Sequence, residues 1–207
     1  MLTVAIIGAG PLGRRLALAA AHAGMRVLLE DVMPATLHHA REYIRRQLSP
    51  ARLGQAHIAF VSSIEDAVRD ADLAIDCVPD ELESKLEILW LLDRMAPPRT
   101  VIATPTTSLS IADLAACTYR PDKCVAVLAD ARQMAEALPA EITLRITELT
   151  SPATVACVEE FWRKLGVLPR FELEPDAKIP AQPSPQPADA AAGRLEHLGI
   201  RGSRSES

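Results

Sequence analysis

Aromatic residues make up only 3% of this 207-residue chain, so its core has to be built from Ala, Val, Leu and Ile. Small aliphatics of that kind suit helices packed closely on a parallel sheet. No apolar run approaches the ~20 residues of a membrane-spanning helix. The net charge is −5, with both signs mixed along the chain. There is no basic block and no interleaving of aromatic with basic side chains, which leaves nucleic-acid binding without support. The four cysteines, at 77, 117, 124 and 157, form no C-x-x-C pair and have no histidine at metal-ligand spacing. No metal site is expected, and the cysteines read as buried free thiols of a reducing compartment. Histidine is missing altogether between His57 and His197, which removes the commonest general base from most of the chain.

The first residues are apolar at once, from 2 to 7, with no basic stretch before them and no small-residue cleavage site after them. They read as a strand rather than a signal peptide, and a soluble, cytoplasmic protein is expected. Further strands are predicted at 27–29, 58–61, 73–78, 101–103, 125–128, 142–146 and 167–173. Helices are predicted at 12–23, 34–48, 64–69, 81–95, 111–116 and 152–165, with helical character between 128 and 142. Pro34 opens a helix where a missing N–H costs nothing, Pro97 and Pro98 stop another, and Ser151 is placed to cap the last. Strands alternating with helices predict a doubly wound, mostly parallel α/β sheet, in a single domain over residues 1–173. Residues 174–207 differ: they hold Pro175, Pro180, Pro183, Pro185 and Pro187, an Ala run and a Ser-rich end. That composition offers too little apolar surface to offset ordering entropy, so a flexible tail is expected.

The chemistry begins at Gly8-Ala9-Gly10-Pro11-Leu12-Gly13, a G-x-G-x-x-G run. The pattern alone is weak, but here it follows a strand, opens a helix and precedes a second strand that ends in acid. Gly8 permits the tight turn, Gly10 lets the backbone approach a pyrophosphate, and Gly13 lets helix and strand pack closely. The helix N-terminus then turns free N–H groups and a positive dipole end toward phosphate. Asp31 lies 23 residues after Gly8, near the ~20 expected of an acid that accepts from ribose hydroxyls and repels the extra phosphate of NADP. Glu30 takes that role instead if the strand ends one residue earlier. Pro11 removes an amide that would otherwise face the phosphates. The reading is a Rossmann-type domain that holds NAD.

Four runs carry a more particular resemblance: Val4-Ala5-Ile6-Ile7-Gly8-Ala9-Gly10, Ala71-Asp72-Leu73-Ala74-Ile75-Asp76-Cys77-Val78-Pro79-Asp80, Thr106-Thr107-Ser108-Leu109-Ser110-Ile111, and Arg120-Pro121-Asp122-Lys123. In this order, over about residues 2–173, the chain resembles the NAD-binding domain of the 3-hydroxyacyl-CoA dehydrogenases. Lys85 also falls where that family has a lysine, shortly after the acid matched by Asp80. The motif and the resemblance together assign Gly8, Gly10, Leu12, Gly13, Asp31, Val78, Asp80, Lys85 and Thr106 to the cofactor site. The resemblance implies NAD as ligand, an acyl-CoA-type second ligand, and a partner chain or a homo-oligomer.

The same resemblance implies a catalytic histidine, held by a glutamate, that takes the proton of a 3-hydroxyl while hydride leaves the same carbon for nicotinamide. The histidine's place is Leu128, the asparagine-proline pair that follows it is Ala131-Arg132, and the glutamate falls near Thr143, with Glu141 two residues away on the same strand face. Pro105-Thr106-Thr107-Ser108 stands for the family's Asn-Thr-Ser-Ser. His22, His38 and His39 sit in the cofactor half as surface or packing residues. Asp130 and Glu141 are the alternative bases. A helical hairpin of the family is replaced by residues 49–57, and its helical C-terminal domain by the proline-rich segment. No residue is therefore assigned a catalytic role, and the expected activity is weak or absent unless a substitute base or a partner chain completes the site.

Overall fold

The computed structural model describes residues 1–48 and 57–174. The strands are β1 (Thr3–Ile7), β2 (Arg26–Glu30), β3 (Ile58–Val61), β4 (Leu73–Asp76), β5 (Val101–Thr106), β6 (Cys124–Leu128), β7 (Glu141–Ile146) and β8 (Leu168–Leu173). The helices are α1 (Pro11–His22), α2 (Pro34–Gln47), α3 (Ile64–Val68), α4 (Leu82–Met95), α5 (Ile111–Ala116), α6 (Ala131–Glu136) and α7 (Pro152–Lys164), with one 3₁₀ turn at Pro121–Lys123. None of the described helices is long and apolar enough to cross a membrane.

The eight strands form one sheet in the order β3-β2-β1-β4-β5-β6-β7-β8. All neighbours are parallel except β6 and β7, so the mostly parallel α/β sheet expected from the alternation of elements is the architecture found. The chain winds outward from β1 through β2 to β3, then returns to β4 on the other side of β1. That reversal opens a crevice at the carboxyl ends of β1 and β4, where doubly wound folds bind ligands.

Strand side chains alternate between two cores. Val4 and Ile6 of β1, with Val27 and Leu29 of β2, face a layer containing Leu16, Ala20, Ile44, Phe161 and Trp162. Ala5, Ile7 and Leu28 face the opposite layer, with Val68, Leu89, Leu92 and Leu114. Both faces are buried, which is why the strands read as nearly unbroken apolar runs. Ser151 caps α7 as expected, its Oγ accepting the Thr154 N–H at 3.2 Å.

Most boundaries shift by a residue or two from the sequence reading, β4 ending at Asp76 rather than 78, and three of the differences bear on the argument. β2 runs on to Glu30, which puts Asp31 just beyond the strand. β5 extends to Thr106 and includes Pro105, which the expected end at residue 103 left out. The β4–β5 ladder stops at Ala103 while the β5–β6 ladder continues to Thr106, so Pro105 lies past its β4 partner, where a missing N–H forfeits less. Glu174, expected to begin the tail, is anchored instead. Its N–H bonds the Ile146 carbonyl at 2.8 Å, and its carboxylate accepts the Ala112 N–H at 2.7 Å. The rest of the expected tail, and residues 49–56 of the shortened connection, lie outside the described residues.

Candidate cofactor site

The glycine-rich turn joins β1 to α1. Gly8 has φ +95°, the left-handed region that side chains rarely adopt, and a Cβ there would stand 3.1 Å from the Cys77 carbonyl oxygen. A Cβ on Gly13 would lie 1.8 Å from the Gly8 carbonyl oxygen, so only glycine lets α1 approach the strand end this closely. Gly10 is the opposite case: a Cβ there meets nothing within 4 Å. Open space at the helix N-terminus is what a pyrophosphate needs, and the residues present fit a dinucleotide. The helix ladder begins with Arg14 N–H on the Gly10 carbonyl at 3.0 Å, so the amides of Leu12 and Gly13 have no acceptor within the helix. Pro11 at the first helical position has none to offer.

Asp31 sits beside this turn. Its Oδ2 accepts the Ala9 N–H at 2.9 Å and its Oδ1 the Met33 N–H at 2.8 Å. It thereby ties the end of β2 to the glycine-rich turn. Glu30, one residue earlier, is the last residue of β2. It is only 5% exposed and lines an apolar cavity of about 500 Å³ with Ile7, Val32, Ile64, Val78 and Ile88. Burial, then the neighbouring Asp31 charge, raises its carboxyl to about 7, against the pull of the Gly8 N–H.

On the other side of the crevice, Asp80 bridges two loops. Its Oδ2 accepts the Thr107 N–H at 2.9 Å and the Thr107 hydroxyl at 3.2 Å. Burial pushes its carboxyl up, but hydrogen bonds from Thr106 and Thr107 outweigh that and hold it below the usual range. Thr106 is buried, and its Oγ1 accepts the Ser108 and Leu109 amides at 3.3 and 3.0 Å. A second cavity of about 350 Å³ opens here, lined by Leu12, Val78, Asp80, Pro105, Asp130 and Arg132 among others. Gly8, Asp31 and Val78 thus line one cavity and Leu12, Val78 and Asp80 the other, with Val78 shared between them.

Lys85 is placed differently from the direct cofactor contact expected of it. It is 0% exposed, and its Nζ lies 3.1 Å from Asp76 Oδ2 in an ion pair sealed beneath the crevice. The same aspartate accepts from the Thr104 hydroxyl at 2.9 Å and, through Oδ1, from the Val78 N–H at 3.0 Å. Burial pushes the Asp76 carboxyl up, with Lys85 opposing it. Lys85 therefore acts on the crevice through the Val78 loop. This anchor was missed from sequence; its signal was an acid closing the apolar run Leu73-Ala74-Ile75 and a lysine on the following helix.

The structure also tests the catalytic positions. Leu128 ends β6 and pairs directly with Thr143 in the antiparallel β6–β7 ladder. The two positions that the resemblance assigns to a histidine and its glutamate are therefore neighbours, and here neither side chain can act as a base. Glu141 is exposed and held bidentately by Arg170, at 2.7 and 2.8 Å, which keeps its carboxyl below the usual range. Asp130 caps α6, its Oδ1 accepting the Arg132 and Gln133 amides at 2.8 and 2.9 Å. His22, His38, His39 and His57 are exposed. All four cysteines are free, but Cys117 is exposed rather than buried as expected, being near the end of the short α5. Burial raises the Cys124 and Cys157 thiols to about 11, far from nucleophilic range. No group of metal-ligating side chains occurs among the described residues.

A doubly wound sheet with a glycine-rich turn, an acid beside it just past the second strand and an open helix N-terminus at its switch point defines a dinucleotide-binding domain. The chain belongs to the family described as 3-hydroxyacyl-CoA dehydrogenase, NAD binding domain, which matches residues 3–169. It is 31% identical to the 5-formyl-3-hydroxy-2-methylpyridine 4-carboxylate 5-dehydrogenase of Mesorhizobium japonicum, over 80% of this chain and 55% of that protein. It is also 31% identical to a probable 3-hydroxybutyryl-CoA dehydrogenase of Bacillus subtilis, over 59% of this chain and 46% of that one. The solved (S)-3-hydroxybutyryl-CoA dehydrogenase of Ralstonia eutropha superposes with a TM-score of 0.74 at 27% identity, over 84% of this chain and 64% of that one. The chain spans about half the length of these curated relatives.

Proposed function

We propose that this chain holds NAD in the crevice between β1 and β4, and that alone it does not oxidise 3-hydroxyacyl-CoA at an ordinary enzymatic rate. Leu12 and Gly13 would offer amides to the pyrophosphate, Asp31 the ribose, and the loops carrying Val78, Asp80 and Thr106 the nicotinamide half. Bound NAD supplies a hydride acceptor. The chain's own residues then have to remove the hydroxyl proton, and the observation that carries this reading is Leu128 facing Thr143 at the place for that step. General-base catalysis is worth about 10²–10⁴-fold and needs a basic atom within hydrogen-bond reach. Asp130 is committed to capping α6, and Glu141 to Arg170.

The test is NADH formation from 3-hydroxyacyl-CoA by protein free of other dehydrogenases, with NAD binding measured in parallel. Binding without appreciable turnover is expected. Robust turnover that disappears in Asp130→Asn or Glu141→Gln would overturn the reading and identify the base.

A further inference from the structure

The chain carries adjacent acids at the end of β2, and only Asp31 is used by the ribose-binding reading. We infer that Glu30 meets the base edge of the bound dinucleotide, giving an O–H to a ring nitrogen of adenine and accepting a hydrogen bond from its exocyclic amine. This rests on the NAD-binding reading.

The cavity beside Asp31 lies between the ends of β1 and β2, the Val78 loop, α3 and α4. Its walls are apolar: Ile7, Ile64, Val78, Ile88 and Leu91. Such a slot accommodates a flat ring and leaves its polar edge in need of a partner. Glu30 is the buried polar group there, 5% exposed. Its backbone carbonyl accepts the Gly8 N–H at 2.9 Å, and that same N–H is the one described donor that pulls on its carboxyl. No fully buried side-chain oxygen among the described residues lacks a partner, so the Glu30 oxygens open onto the cavity rather than being sealed off. A carboxyl with that much burial, near only a backbone N–H shared with its own carbonyl, keeps hydrogen-bonding capacity for a ligand in the cavity.

The other charges facing the cavity are Asp31 on the loop after β2, Glu65 on α3 and Glu87 on α4. Among the described residues no Lys, Arg or His lines it, and Lys85 on α4 is paired with Asp76 below. An anionic group would be repelled there, while hydrogen-bond donors are favoured: ribose hydroxyls at Asp31 and an exocyclic amine at Glu30. A neutral carboxyl carries one donor and one acceptor side by side, matching the donor and acceptor that adenine presents. The ionised form matches only the amine and sets a negative charge against the ring nitrogen. Glu30 stands at about 7 in the free protein, so base binding draws a proton onto it above that pH.

Calorimetric titration of the intact chain with NAD, at pH 6 and pH 8.5 and in buffers of different ionisation enthalpy, tests this with Glu30→Gln and Glu30→Val. At pH 8.5 the wild type should take up close to one proton per NAD and bind at least about tenfold more weakly than at pH 6. Glu30→Gln carries the same donor–acceptor pair without ionising; it should bind at the pH 6 affinity at both pH values with no uptake at this site. Glu30→Val should bind about tenfold more weakly than Glu30→Gln at both. Both variants remove a buried charge, so a thermal melt should show them folded. If Glu30→Val binds as tightly as Glu30→Gln, the base does not touch Glu30 and the inference is overturned. If the wild type binds no NAD at either pH, the cofactor reading itself fails, a result separable from the first.

Discussion

Replacing Lys85 by Met removes one half of an ion pair in which both side chains are at most 1% exposed. Breaking such a pair costs roughly 3–5 kcal/mol, because the surviving charge stays buried without compensation. Asp76 keeps two hydrogen bonds, from Thr104 and the Val78 amide, so the low end, about 3 kcal/mol, is expected for Lys85→Met. For a domain of this size that corresponds to a drop in Tm of roughly 6–12 °C. Without Lys85 the Asp76 carboxyl rises further above its unfolded value, so the folded chain binds a proton the unfolded chain has released. The defect should therefore deepen as pH rises and ease in acid. Urea unfolding of the single variants and of Lys85→Met with Asp76→Leu closes a double-mutant cycle. The double variant should be far more stable than the sum of the two losses, and should still bind NAD once folded. A Lys85→Met change of under about 1 kcal/mol would refute the burial argument.

The glycine-rich turn allows two opposite outcomes from the same substitution. Gly13→Ala should unfold or severely destabilise the chain, by about 4 kcal/mol or more, since its methyl would overlap the Gly8 carbonyl oxygen at 1.8 Å. Gly10→Ala, with nothing within 4 Å, should leave Tm nearly unchanged while weakening NAD by tenfold or more; thermal melts and titration read both. Glu30 stands at about 7 in the folded chain against an ordinary 4.5, so between those pH values the folded form holds the extra proton and stability falls as pH rises. Glu30→Gln should equal the wild type near pH 4 and exceed it at pH 8 by on the order of 2 kcal/mol in urea titrations; equal stability at pH 8 would contradict the burial of that charge.

Local rules are enough to read the repeating strand and helix of this chain, the turn at Gly8-Ala9-Gly10, the acid at Asp31 and the lack of a histidine between His57 and His197. Each depends on spacing of a few residues: period-2 and 3.6 apolar patterns, a turn that only glycine allows, an N-terminal helical proline. The missing catalytic histidine could be read at Leu128 because position along the chain sufficed to align it. What lies across strands could not be read in this way. Whether β2 ended before or after Glu30 decided which acid is buried in the strand and which bonds the glycine-rich turn, since a one-residue difference in register reverses the face. The partnership of Lys85 with Asp76, nine residues apart on different elements, depends on how α4 packs against β4. Pro105 could join a strand only because β4 had ended beside it. Sequence alone determined that a dinucleotide-binding fold exists and that leucine stands at the position the resemblance gives to a histidine. The tertiary structure decided which charges face that crevice and which lie beneath it, because burial and pairing arise only when distant segments meet.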